Sequence, residues 1–366
     1  MIFFLLKLIF IALLSSAHAD LLQTRRPDLI KSVDIIGSMH SQVAYARAKE
    51  RESSAESMDS SKSNSWHGPE IRRFRLGFIV NSFQNVSARV EGIFVPNDDK
   101  EFQMQFAYVD WSKYDFFNLR FGYDRAKFVF EENTSSGQIL AIERSHLTNL
   151  SNIGYHNGLS FYGQISDLFD YNLAVLTNTS NRNPKGENPR YIHVVSFGLE
   201  FGDYLSSLDK LRLELDLVHN DQKTTGVTDR KRGIAFAQHF IVGSFDWRSE
   251  YIWTEGLDQN FLRGFYLQPA YSISDENQIV VRYESMNAQS IGGITTSSRY
   301  QNQIGELGGT YENGGERFDA LYLGHNHYFS GHAHKLMLGL EFSRLRSEES
   351  RDVYGTTAMA SWRFVF

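Results

Sequence analysis

The sequence predicts an all-β fold, a transmembrane antiparallel up-and-down β-barrel of about 16 strands with one long loop folded inward. Three observations predict it. Apolar residues recur at every second position through most of the chain, with charged residues between them. The connections alternate between short and long. After residue 19 no stretch stays apolar long enough for a spanning helix, so only a closed sheet satisfies its backbone hydrogen bonds in lipid.

Residues 1–19 hold one basic residue, Lys7, in a run of Ile, Leu and Phe, followed by Ser15-Ser16-Ala17-His18-Ala19 ahead of Asp20. A short apolar core closed by a small-x-small site is the pattern of a secretory signal peptide, with cleavage expected after Ala19. The expected division is therefore a signal peptide, 1–19, and a barrel, 20–366. Removing 19 residues from 366 leaves 347. That length suits about 16 crossings of roughly 9–11 residues with their connections.

Composition narrows the class. Cysteine is absent, which excludes a disulfide frame and a thiolate metal site. Six Pro against 28 Gly, 28 Phe and 18 Tyr favour long strands with aromatic belts. The formal charge is −6, and −7 once Lys7 is removed, so no basic excess points to nucleic acid.

A first strand is expected over 32–48, then a Ser/Glu/Lys-rich loop to residue 66. Phe74, Leu76, Phe78 and Val80 share one face of the next strand, with Arg73 and Arg75 opposite. Arg89 and Glu91 mark the polar face of 86–93, a strand over 102–108 follows, and Arg120 and Asp124 mark the polar face of 117–124. From 125 to 156 the alternation stops, although Phe128-Val129-Phe130 and Ile139-Leu140-Ala141-Ile142 are apolar. A loop this long is usually functional, and inside a barrel its apolar stretches have only the lumen to pack into. Strands resume near 159–165, 171–175, 195–201, 211–217, 234–241, 245–253, 262–271, 278–285, 318–328, 335–342 and 354–366.

Short connections fall at 82–85, 112–115, 166–170, 202–209, 274–277 and 330–334, and mostly longer ones at 49–69, 125–156, 178–189, 220–232 and 288–316. That is the sidedness of an outer-membrane barrel, and an even strand count returns both termini to the tight-turn side. In the last strand Ala358, Ala360, Trp362, Phe364 and Phe366 alternate with Met359, Ser361, Arg363 and Val365. Its aromatic end resembles the closing strand of bacterial outer-membrane barrels, which makes Phe366 a candidate assembly signal for the outer-membrane assembly machinery.

Between residues 72 and 165 the sequence resembles the phosphate-selective porins O and P of Gram-negative outer membranes. The residues that carry the resemblance are Arg72-Arg73-Phe74-Arg75-Leu76-Gly77-Phe78, Asn118-Leu119-Arg120-Phe121-Gly122-Tyr123, Lys127-Phe128 with Glu131-Glu132, and Ile142-Glu143-Arg144-Ser145. The strand 335–345 is similar to the family's penultimate strand. The resemblance implies a homotrimer of barrels in outer-membrane lipid, passing small hydrophilic solutes or inorganic anions, with 125–156 as the constriction loop. It implies no cofactor.

For pore lining and selectivity the candidates are Arg73, Arg75, Arg89 and Arg120 on neighbouring polar faces, with Arg125, Lys127 and Arg144 on the loop. Guanidinium groups present fixed donors suited to phosphate or carboxylate. The same parity puts Glu91, Asp124, Glu200, Glu214, Asp216, Asp246, Glu250, Glu284 and Glu341 in the lumen, beside Arg212, Arg248, Arg282 and Lys335. The interior is thus nearly balanced in sign, and a weakly selective pore is the expectation. His325, His327, His332 and His334 gather near one turn, where imidazoles either hold a metal or line a wet strand end; no metal is assigned. Two other classes stay open: a hydrolase on the barrel wall, although no Gly-x-Ser-x-Gly elbow is present, and an adhesin or structural anchor.

Overall fold

The computed structural model describes residues 29–51, 63–94, 102–178, 190–202, 208–221, 228–290, 292–296, 300–301, 304, 314–347 and 352–366. The signal-peptide assignment, 1–19, lies outside these residues. Sixteen antiparallel strands close into one barrel: β1 (Ile30–Arg51), β2 (Ser63–Ser82), β3 (Val86–Phe94), β4 (Phe102–Tyr114), β5 (Phe117–Arg125), β6 (Tyr155–Ser166), β7 (Phe169–Thr177) and β8 (Tyr191–Glu200) make one half. The other half is β9 (Lys210–Asn220), β10 (Arg230–Val242), β11 (Phe245–Gly256), β12 (Phe261–Ser274), β13 (Asn277–Ala288), β14 (Arg317–Ser330), β15 (His334–Arg346) and β16 (Asp352–Val365). Every strand pairs with its sequence neighbours, and β16 returns to β1. Among the described residues no helix is long and apolar enough to cross a membrane.

Period-two patterning becomes an inside and an outside. Leu215, Phe236, Tyr251, Phe265, Leu323 and Phe342 stand on the outer wall with 36–46 % of their surface exposed, where lipid takes the place of water. Their neighbours Glu214, Asp216, Glu250, Tyr322 and Glu341 point inward and are buried. The tight turns need special backbone at two places: Gly243 and Gly331 adopt φ of +54° and +51°, the left-handed region that glycine enters without a Cβ penalty.

The β1–β16 ladder that closes the barrel runs on to the last residue. Gly37 N–H donates to the Phe366 carbonyl at 2.8 Å, and Phe366 N–H donates back to Gly37 at 3.0 Å. A Cβ on Gly37 would sit 2.4 Å from the Phe366 ring, so glycine there leaves space for the aromatic end.

β1 and β2 have 22 and 20 residues, against 9 to 14 for the other strands. β2 therefore begins inside the stretch whose composition suggests a loop, and Trp66 is a strand residue. A bulge opposite Ser41 inserts one extra residue into β2. Strict alternation would point Arg72 outward beside Phe74; the bulge turns both Arg72 and Arg73 toward the interior, where both approach Glu143.

Candidate functional site

Residues 126–154 fold into the barrel and carry two short helices, α1 (Phe130–Asn133) and α2 (His146–Ser151). Phe128, Val129, Leu140, Ile142 and Leu147 are completely buried against inward residues of the far wall, among them Met286, Phe318 and Met337. Each such side chain stabilises the docked loop by about 1.5–3 kcal/mol. The lumen is therefore a packed core on the side of β9–β16.

Two walls of opposite sign hold the loop backbone. Carboxylates of the acidic wall accept from loop N–H groups: Asp216 from Val129 at 3.0 Å, Glu250 from Phe130 at 2.6 Å and Glu284 from Leu147 at 3.3 Å. Val129, at φ +74°, is held in a region that β-branched residues avoid, and these carboxylates stabilise it there. Cations of the basic wall donate to loop carbonyls, Lys335 to Ile139 at 2.9 Å and Arg363 to Ser136 at 2.7 Å and to Ile142, while Arg282, beside Glu284 on β13, donates to the Glu143 carbonyl at 2.9 Å. Register explains the basic wall, since Lys335, Arg363, His40 and Arg73 face one another in a row across β15, β16, β1 and β2.

Within the loop, Glu131 accepts from Ser145 N–H at 2.8 Å and Thr148 Oγ1 at 3.0 Å, and Ser145 caps α2. Glu143 pairs with Arg72 at 2.8 Å and accepts from Gln42 at 3.1 Å. Burial alone would push its carboxyl up, but the Arg72 and Arg73 guanidiniums hold it well below the usual carboxylate range. His146 is pushed down to about 4 by burial, against a contact with the Thr295 carbonyl at 3.0 Å. That contact ties α2 to a second inward segment, in which Tyr300 stacks on Trp66 with centroids 5.5 Å apart and donates to Glu70 at 2.6 Å.

With β9–β16 packed, the open space lies against β2–β7: a cavity of about 810 Å³. Arg75, Arg89, Arg120, Arg125 and Lys127 line it, with Asp115, Asp124 and Asp170. Arg73 and Arg144 are elsewhere. Arg73 is buried beneath the loop, and Arg144 folds back onto the carbonyls of Glu131, Glu132 and Thr134 at 2.9–3.1 Å. Arg72 was missed because a bulge leaves no mark in a period-two pattern.

The lining cations differ in their surroundings. Arg120 is pinned by Asp110 and Asp124, both at 2.7 Å, with its guanidinium 4.1 Å from the Tyr108 ring centre and 5.2 Å from that of Tyr162. Arg89 pairs with Glu91 and lies 4.3 Å from the Phe106 ring centre. Lys127 stands 3.6 Å from Asp170, a carboxylate already bound by Arg212 at 2.6 Å. Arg125 is 3.5 Å from Glu132. Among the described ion pairs Arg75 has no carboxylate; its contacts are Ser136 Oγ at 3.4 Å and Gln105 Oε1 at 3.5 Å.

The family described as "Phosphate-selective porin O and P" matches residues 53–231, a span that holds β2–β9, the inward loop and all seven candidate cations. The chain is an outer-membrane porin. No curated protein matches it significantly. The porin is similar in fold to an anion-selective porin from Comamonas acidovorans, with TM-score 0.59 and 13 % identity over 92 % of this chain and 99 % of that one. The outer-membrane channel DcaP of Acinetobacter baumannii gives TM-score 0.55 and 10 % identity over 91 % and 97 %. A trimer form of OmpT of Vibrio cholerae gives 0.53 and 10 % over 90 % and 99 %. At these identities the three solved structures speak for the barrel alone.

The histidines near the last tight turn divide between faces of the porin wall. His334 accepts from Trp362 Nε1 at 2.8 Å on the outer face, whereas His332 stands 3.1 Å from Lys335 Nζ on the inner one. Among the described residues no group of three or more His, Asp or Glu has metal-ligand spacing.

Proposed function

We propose that the porin is the protomer of a homotrimer whose off-centre lumen passes small hydrophilic solutes with a mild preference for anions. The observation that carries this reading is the charge around the cavity: five cations against three carboxylates, with Arg75 outside any described ion pair. Rings of fixed charge set the potential a passing ion meets and replace part of its hydration. The preference is mild because Arg89, Arg120 and Lys127 each share their field with carboxylates. Arg73 and Arg144 serve the loop, placing it against β9–β16 and leaving the channel along β2–β7.

The trimer rests on likeness to the OmpT trimer form. Export rests on residues 1–19, with Ala19 as the cleavage point. Reversal potentials of the refolded porin in a planar bilayer, across a potassium chloride gradient and then a phosphate one, test the selectivity. An anion-directed potential in both salts is the expected result, and a cation-directed one overturns the proposal. Unheated electrophoresis of membrane-extracted porin tests the trimer, and amino-terminal sequencing tests cleavage.

A further inference from the structure

The second inward segment lies between β13 and β14, and its described residues form a neck and a peg. In the neck, Ile294 N–H donates to the Gly315 carbonyl at 2.9 Å and Gly315 N–H donates back to Ile294 at 2.8 Å. Gly292 and Gly314 stand beside this bridge at φ of +78° and +82°. A Cβ on Gly314 would meet the Gly292 carbonyl oxygen at 2.8 Å, so glycine lets the two arms approach, and its broad conformational freedom leaves the neck able to turn.

The peg is Tyr300 and Gln301, each buried to within 1 % of its surface. Tyr300 stacks on Trp66 of β2, donates to Glu70 of the same strand and accepts from Gln42 of β1. Gln301 donates to Ser343 of β15 at 3.1 Å and to Thr357 of β16 at 3.4 Å. The wall is shaped for it, since a Cβ on Gly355 would sit 2.0 Å from Gln301 Nε2. Two consecutive residues thus reach four strands, β15, β16, β1 and β2, on both sides of the seam.

One side chain joins the peg to the constriction loop. Gln42 Nε2 donates to the Tyr300 hydroxyl and to Glu143 at 3.1 Å, using both of its N–H groups. Its carbonyl accepts from Ser361 Oγ at 3.2 Å, which fixes the amide in that orientation. A second tie is the contact of the Thr295 carbonyl with His146 of α2 at 3.0 Å. Hydrogen bonds to the wall exchange for hydrogen bonds to water when such a peg leaves, so a polar peg on a glycine neck has two accessible positions.

We infer that this segment is a strap over the constriction loop. Seated, it keeps 126–154 against β9–β16 and the channel open. Released, it frees Glu143 and α2, and the loop moves into the cavity along β2–β7 as a transient closure.

Single-channel recording of the whole refolded porin in a planar bilayer tests the inference. Y300F/Q301A removes the peg's hydrogen bonds to Glu70, Gln42, Ser343 and Thr357, and closures become about tenfold more frequent. Its reversal potential stays at the wild-type value because no cavity-lining cation is touched, which separates this reading from the one on selectivity. Q301C/G355C pins the peg when oxidised; the chain has no other cysteine. Closures in the oxidised form are about tenfold rarer than in the same molecules after reduction, a comparison that holds folding constant. Closure frequency within about twofold of wild type in Y300F/Q301A overturns the inference. So does equal gating of the oxidised and reduced double-cysteine porin, or failure of that pair to form a disulfide under oxidant, which would place the peg away from Gly355.

Discussion

Replacing Arg75 by Gln removes the lining cation that has no carboxylate among the described ion pairs. At the water limit a unit charge about 4 Å from a passing ion contributes about 1 kcal/mol, a factor of about five in its population. The effect has opposite signs for anion and cation, so the anion-to-cation permeability ratio falls between about fivefold and about 25-fold. At 0.1 M salt the screening length is about 10 Å, which leaves a contact-range interaction largely intact. The assay is the reversal potential in a salt gradient, with R89Q/E91Q as the comparison. That double variant removes a cation and its carboxylate together, so the lumen charge is unchanged and the ratio stays within about twofold of wild type. R89Q alone is a poor comparison, because it leaves Glu91 as an unpaired negative charge. An unchanged reversal potential in R75Q, or an equal shift in the double variant, refutes the reasoning.

Other consequences follow from the loop and the seam. Arg363→Met removes the donor to the Ser136 and Ile142 carbonyls; about 1.5–3 kcal/mol of docking is lost, read as noisier single channels and faster proteolysis within 126–154. Deleting Phe366 removes both backbone bonds to Gly37 and should lower the yield of assembled barrel before it alters the conductance of the channels that do assemble. Acid should loosen the loop in two stages. The His146 imidazole falls from 6.5 to about 4 on burial, so its contribution is full above 6.5 and fades as pH falls toward 4. The Glu143 carboxyl is depressed below 4.5, so its contribution is present above that value and is lost as pH falls further. Open-channel noise should therefore stay flat from pH 8 to about 6.5 and then rise, and a flat trace down to pH 4 would count against docking through these groups.

The strand class, the near-complete strand list and the inward parity of Arg75, Arg89 and Arg120 were legible in the sequence, because alternation is local: two neighbouring residues of a strand point to opposite faces wherever the strand lies. The apolar runs 128–130 and 139–142 likewise announced a loop that needs a packed partner. Which cations meet the cavity was not legible. Arg73 and Arg75 have the same parity, yet one is covered by the loop and the other borders open space, and only the docked position of 126–154 separates them. Arg72 needed the bulge opposite Ser41, and the basic row from Lys335 to Arg73 needed the register of four strands drawn from both ends of the chain. Sequence by itself determined that this chain is a barrel with a charged interior, since side-chain period is a property of neighbouring residues. Tertiary structure alone decided which half of that interior is filled and which of the cavity-lining arginines stands outside any described ion pair, since both depend on groups brought together across the barrel.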